Sequence, residues 1–291
     1  MKVYLGVNAR DEKHINEWII HHLNLGFDKI YITDHMSKIP LSKELEPLKE
    51  HLIQFRENEE SKHLKVKCMN NFLKYCQVQK VDWMVYLDAD EFIVLNDKYK
   101  NIKEYIQSIP NEIPSIGIPW LLFGSNYLKR DPDDLIISSY TKCNNFFDDH
   151  TKGLNNVKYA KNATNPHFYH NTLNKYSNIF FNPLENWLFD KQMKQIKVEK
   201  VKDIPIFLAH YKFQSRESMF KRKLLLPRDD TGNFRDSPFN KKLSGKELED
   251  AIISDIHSEW FNICNGVDCF YIKNKYSNDI KTKLEKYNWK Y

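Results

Sequence analysis

Val3 to Val7 is a short apolar run, and Ile15, Trp18, Ile19, His22 and Leu23 then recur at the spacing of one helix face. Gly26 follows, in the left-handed position that favours glycine after a helix. Lys29 to Thr33 reads as a second strand, with Asp34 at its carboxyl end. A strand, a helix and a strand joined by a crossover of this length predict a right-handed parallel unit. Leu64 to Gln79 predicts another helix. Asp82 to Leu87 is almost continuously apolar, as a strand covered on both faces must be. Ser115 to Trp120, Leu135 to Tyr140 and Ile204 to His210 are further strand candidates, and the polar Asn144 to Asn165 stretch predicts a loop-rich insertion. In the tail, Ser244 and Glu247 form a capping-box pattern that opens a helix closing near Gly266. The expected fold is α/β, with a mostly parallel central sheet flanked by helices and a helical C-terminal tail. Residues 1–240 would form the main domain and residues 241–291 an extension packed on it.

Composition narrows the class. A chain of 291 residues that is 41% hydrophobic, with 16 Tyr and 18 Phe, can bury a sizeable core. No apolar run is long enough to cross a bilayer, and Met1 to Gly6 carries no charged-then-apolar leader. The expected compartment is therefore cytoplasmic. Five cysteines cannot all pair internally. Cys68 and Cys76 sit two helical turns apart, a rise of roughly 12 Å, too far for a disulfide. Cys264 and Cys269 flank a possible small loop, but free thiols fit the set better. The 44 basic and 39 acidic residues leave a net charge of +5, concentrated in Lys191 to Lys202, Lys221 to Arg228 and Lys273 to Lys286. That surplus suits an anionic ligand such as a diphosphate and does not call for nucleic acid.

The chemistry-bearing residues fall at predicted strand ends, where ligands of open α/β sheets bind. Asp88 and Asp90 follow Trp83 to Leu87 directly. In extended chain they point to the same side, with Cα atoms roughly 6.5 Å apart, and can hold one hard divalent cation. His210 ends the Ile206 to Ala209 run and offers an imidazole of the kind that suits manganese better than magnesium. His22, on the apolar helix face, reads as core. Beyond His210, Ser215 is a plausible helix cap, and Arg216, Lys221, Arg222, Lys223 and Arg228 gather positive charge beside it. Asp148, Asp149 and Glu185 are candidate bases. Trp120 and Trp187 are candidate stacking surfaces for a sugar ring.

Several blocks together resemble the family 2-like and family 92 glycosyltransferases. These are Arg10-Asp11-Glu12 with Ile15-Asn16-Glu17-Trp18-Ile19, Leu25-Gly26-Phe27-Asp28, Leu87-Asp88-Ala89-Asp90-Glu91-Phe92-Ile93, Trp120 with Phe123-Gly124-Ser125-Asn126, Val157-Lys158 with His167, and His210-Tyr211 with Ser215-Arg216-Glu217, Phe220 and Lys223. The resemblance spans residue 1 to about residue 235. It implies a GT-A fold, a nucleoside-diphosphate sugar donor (most often UDP-linked), a Mn2+ or Mg2+ cofactor and inversion at the anomeric carbon. It also implies that Asp88, Asp90 and His210 bind the metal, and that Arg10, Asp11, Asp34, Asp88, Lys158 and Lys223 lie on the donor side. Trp120, Ser125, Asn126 and His167 would lie on the sugar or acceptor side. Two departures stand out. Arg10-Asp11 replaces the usual Asn-Glu, with Glu12 an alternative match, and Tyr127 replaces a glycine. The implied reaction is metal-dependent transfer of a hexosyl group to a hydroxyl of a glycan, lipid or protein. The competing readings are a non-catalytic nucleotide-sugar or glycan-binding protein and a metal-dependent nucleotidyl or phosphoryl transferase.

Overall fold

The computed structural model describes residues 1–58, 62–228, 233, 244–254 and 262–289. Eleven strands are present among them. β1 (Val3–Ala9), β2 (Lys29–His35), β3 (Leu52–Glu57), β4 (Trp83–Asp88) and β5 (Glu91–Leu95) come first. β6 (Ser115–Leu122), β7 (Lys142–Cys143), β8 (Thr151–Asn156), β9 (Ser177–Asn178), β10 (Ile206–His210) and β11 (Val267–Asp268) follow. The main sheet runs β3-β2-β1-β4-β8-β6-β10-β5, with β9 on β6, while β11 and β7 form a separate ribbon. β1, β2, β3 and β4 pair in parallel, as do β6 and β10, and β8 is antiparallel to both β4 and β6. β4 and β6 therefore point the same way, and β1, β2, β4 and β10 deliver their carboxyl ends to one edge.

The first βαβ unit forms as expected. The Ile15–Asn24 helix buries Ile15, Trp18, Ile19 and His22 on one face. His22 is a satisfied core residue, because its ring contacts the Trp18 carbonyl at 2.8 Å and accepts the Ile93 N–H at 3.2 Å. The Leu64–Val78 helix covers the other face of β1 with Cys68, Phe72 and Cys76. All five cysteines are free and buried. Cys143 meets Cys269 across the small ribbon.

Three local expectations change. Leu135 to Tyr140 is not a strand: Ile136–Ser139 forms a helical turn. The Glu17 carboxylate accepts the N–H groups of Ile136 at 2.7 Å and Ile137 at 3.1 Å, which satisfies the donors that a strand would have paired. The Asn144 to Asn165 stretch is not all loop, because β8 is inserted in the middle of the sheet. Leu154 is its one large apolar residue, and its polar side chains are satisfied inward, Asn155 by the Ser115 hydroxyl at 3.0 Å. In the tail, the helix runs only over Gly245–Ile253, and Ser244 makes no side-chain cap bond. The rest of the expected helix toward Gly266 falls partly outside the described residues. A longer helix, Tyr271–Lys286, lies where the sequence showed only a lysine-rich run, and it buries Ile272, Ile280 and Leu284 in the main core.

Glu17 ties the first helix to that turn and gives a pH signature. Burial raises its pKa to about 8 in spite of the two backbone N–H groups. The folded state therefore holds a proton that the unfolded chain releases near pH 4 (about 4.3 for free Glu). Its contribution is fullest below that range and declines as the pH rises toward about 8. Stability of the wild type relative to Glu17→Gln, measured by urea unfolding, should fall between about pH 5 and about pH 8; parallel curves would contradict the assignment.

Candidate functional site

The shared carboxyl edge opens into a cleft lined by Asn8, Arg10, Glu12, His35, Lys65, Asp88, Asp90, Trp120, His167, His210, Lys212, Arg222, Lys223 and Arg228. Asn8 is the last residue but one of β1, Asp88 ends β4, and His210 ends β10. The antiparallel β5 starts at the same edge, so Glu91 pairs with His210. The tight link between β4 and β5 holds Asp90 between two strand ends, and the Tyr211 N–H donates to its carbonyl at 2.8 Å.

Asp88 and Asp90 are each compensated by ammonium groups. Lys65, from the first turn of the Leu64–Val78 helix, bonds one Asp88 oxygen. Lys152, on β8 and 1% exposed, reaches the other at 3.1 Å and stands 3.6 Å from Glu91. Burial alone would push Asp88 up, but Lys152 and Lys65 hold it well below the usual carboxylate range. Asp90 behaves likewise: burial opposes ionisation, while Lys223 at 2.8 Å, His210 and Arg222 hold it down. Glu91, wholly buried, is raised to about 7 by burial even with Lys152 nearby. Burial lowers His210 to about 3, so its imidazole is neutral, and Nε2 stands 3.6 Å from Asp90 Oδ1.

The cations arrive on an unusual helical turn. Ser215 caps Arg216–Ser218 by accepting the Ser218 N–H at 3.0 Å, as its position suggested. The turn then widens, and the Leu225 N–H donates to the Phe220 carbonyl five residues back. Such wide turns shift side-chain phase and are common at functional sites. Here the turn brings Arg222 onto Glu12 at 2.7 Å and Lys223 onto Asp90, while Lys221 faces outward to Glu217.

Of the residues singled out in the sequence, Asp88, Asp90, His210, Arg10, Lys223, Trp120 and His167 meet in this cleft. Others do not. Asp11 is exposed and caps the Lys38 N–H at 2.8 Å, and Glu12 takes the cleft position instead. Asp34 is buried, but Arg56, the Ser37 N–H and the Leu41 N–H occupy its oxygens; His35 lines the cleft in its place. Lys158 lies beside Asp82 and Trp83 at the start of β4, on the order of 20 Å of strand from the acidic end. Ser125 and Asn126 build a turn with Thr141, Lys142 and Asn265 rather than facing the cleft. Glu185 is exposed and off the cleft, and Trp187 stacks on Phe168. Asp148 and Asp149 flank His150 behind Trp120. Lys65, Lys152 and Asn8 carry site roles that the sequence reading missed. A lysine alternating inward on a polar strand was the available signal for Lys152.

Two carboxylates and a neutral imidazole form a donor set suited to a divalent cation. The chemistry of Asp88, Asp90 and His210 therefore fits a metal, which would exchange with the ammonium groups now on the carboxylates. Their ligand atoms do not converge as they stand. Among the described residues, the acidic and imidazole atoms grouped within 4.8 Å of one another belong to Asp148, Asp149 and His150. The Trp120 indole N–H and the Asn8 amide nitrogen are buried without a hydrogen-bond partner among the described residues, so the cleft offers polar groups that a ligand would satisfy.

Comparison with known proteins adds the family. Residues 5–257 match glycosyltransferase family 92. No curated protein matches the chain. Among solved structures, S. aureus TarS 1-349 is similar at 14% identity, over 54% of this chain and 47% of that one, with a TM-score of 0.37. The same fragment in complex with UDP-GlcNAc matches at 15% identity over 49% and 39% of the two chains, with a TM-score of 0.32. A cytidylyltransferase from Leptospira borgpetersenii matches at 13% identity over 40% and 52%, with a TM-score of 0.26. The chain spans less than half of the TarS fragment, and these distant likenesses fix no substrate. The family match, by contrast, covers most of the chain and includes every strand of the cleft. The α/β sheet carries its acidic residues at a strand end, and the chain belongs to glycosyltransferase family 92.

Proposed function

We propose that the chain moves a hexosyl group from a UDP-linked donor to an acceptor hydroxyl with inversion, aided by a divalent cation at Asp88, Asp90 and His210. The observation that carries this reading is the charge of the cleft. Among the described residues, Arg10, Lys65, Lys212, Arg222, Lys223 and Arg228 line it against Glu12, Asp88 and Asp90, six cations to three carboxylates. The surplus is placed to receive a diphosphate. Residues 1–240 carry this transferase site, and residues 241–291 form the extension packed on it.

Each side chain then has a task. Lys223, Arg222 and Arg228 bind the diphosphate and meet the charge that grows on it as the glycosidic bond breaks. Asp88, Asp90 and His210 would hold the cation, and a bound Mn2+ or Mg2+ would supply Lewis-acid stabilisation of the leaving diphosphate. The buried Trp120 N–H gives a sugar hydroxyl a fixed donor, and the indole gives the ring an apolar wall. The acceptor is a hydroxyl of a glycan, lipid or protein. Among the described residues no helix is long and apolar enough to cross a membrane.

Membership of a glycosyltransferase family disfavours nucleotidyl transfer, while pure nucleotide-sugar or glycan binding is separated by experiment. UDP with manganese, at about a hundred times its Kd, should stabilise the folded chain by about 2.7 kcal/mol. In thermal unfolding, Asp90→Asn should lose the manganese-dependent part of that shift, whereas Lys223→Met should weaken UDP with or without metal. No shift with any nucleoside diphosphate would contradict the donor site. Methanol serves as a minimal acceptor: the methyl glycoside formed from a UDP-α-sugar should be the β anomer by NMR. An α product would overturn inversion, and binding without turnover would favour the non-catalytic reading.

A further inference from the structure

His150 immediately precedes β8 and continues its ladder with β6. The Trp120 backbone N–H donates to the His150 carbonyl at 3.2 Å, and the Asp148 backbone N–H donates to the Trp120 carbonyl at 2.8 Å. Because Pro119 faces Thr151 and Ile118 faces Lys152, His150 stands across from Trp120. The two-residue alternation of the strand puts it on the same face as Lys152, whose ammonium reaches Asp88. The imidazole lies flat on the indole, with centroids 5.2 Å apart and planes 10° apart, and Trp120 in turn meets His210 at 4.6 Å.

Its orientation is fixed. Asp148 Oδ1 lies 2.7 Å from Nδ1 and also accepts the His150 backbone N–H at 2.9 Å. A neutral imidazole that donates from Nδ1 to Asp148 keeps its lone pair on Nε2. Asp149 Oδ1 stands 3.4 Å from the same Nδ1, and its other oxygen meets Lys194 at 2.7 Å. Phe189 packs edge-on against the ring at 4.7 Å. The side chain remains 38% exposed, so a solute can reach it.

We propose that His150 is the general base of the transfer and Asp148 its positioning residue, with the acceptor docking on the β8 side of Trp120. The proposal rests on the glycosyl-transfer reading above. The acceptor hydroxyl gives its proton to Nε2 as its oxygen bonds the anomeric carbon. The bond from that carbon to the diphosphate oxygen breaks, and its electron pair leaves with the nucleoside diphosphate. Asp148 stabilises the imidazolium so formed, which releases the proton to water. The neighbouring groups are less suited. His167 and His210 are held neutral to about pH 3 by burial, and His210 also faces Asp90. Asp149 is bridged to Lys194 through Oδ2.

The test uses the full chain with manganese, UDP-glucose, UDP-galactose and UDP-N-acetylglucosamine as donors, and water or methanol as acceptor. His150→Gln should lower turnover by about a hundredfold or more while leaving the UDP affinity unchanged. Asp148→Asn should give a smaller loss of kcat at unchanged affinity. Added imidazole should restore part of the activity of His150→Ala in a concentration-dependent way and none of the activity of Asp90→Asn. Turnover of His150→Gln within about twofold of wild type, with UDP binding intact, would overturn the proposal alone. A loss of activity accompanied by equal loss of UDP affinity, without imidazole rescue, would make His150 structural and overturn it too. A wild type that neither binds UDP nor turns over any donor would instead sink the reading beneath it.

Discussion

Two adjacent carboxylates at the end of a buried strand are the constraint around which the chain is arranged. Asp88 and Asp90 lose most of their hydration there, and unpaired buried charge is costly. Their compensation comes from three separate segments: Lys65 from a helix start, Lys152 from β8, and Lys223 from the widened turn after β10. Each cation must be carried to one point by its own element. The polar strand β8 in the centre of the sheet, otherwise a poor choice for a core position, is what places Lys152.

That compensation also connects fold to function. The ammonium groups that neutralise the acids in the ligand-free chain are the groups that a diphosphate would attract. On the proposed reading, a nucleotide-sugar with its cation would redistribute existing charge instead of creating a new site. The neutral His210, kept so by burial, adds a donor that does not repel a cation. On the other side of Trp120 the environment is different. His150 has a carboxylate at its Nδ1 and access to solvent, which suits the movement of a proton more than the binding of an anion.

Much of this was legible in the sequence where apolar patterning and strand ends coincide. β1, β2, β4 and β10 announced themselves by continuous apolar runs, and with them the positions of Asp88, Asp90 and His210. β8 was hidden because its inward residues are polar and satisfied by distant partners, so the insertion read as loop and Lys152 did not stand out as a strand residue. The Leu135 to Tyr140 run read as a strand because nothing local reveals that Glu17, more than a hundred residues earlier, captures its N–H groups. Asp34 looked like a nucleoside contact from its place at a strand end. Only the three-dimensional contact with Arg56 shows its oxygens already taken.

The cleft at Asp88, Asp90 and His210 is proposed to receive the diphosphate of a nucleotide-sugar. A crystal structure of the chain with UDP and manganese tests it most directly. The expected result is the diphosphate against Lys223 and Arg222, with the cation on Asp90 and His210 and Lys223 moved from Asp90 to phosphate. UDP bound elsewhere, or a cleft in which Lys65, Lys152 and Lys223 still hold both carboxylates under saturating UDP and manganese, would contradict it.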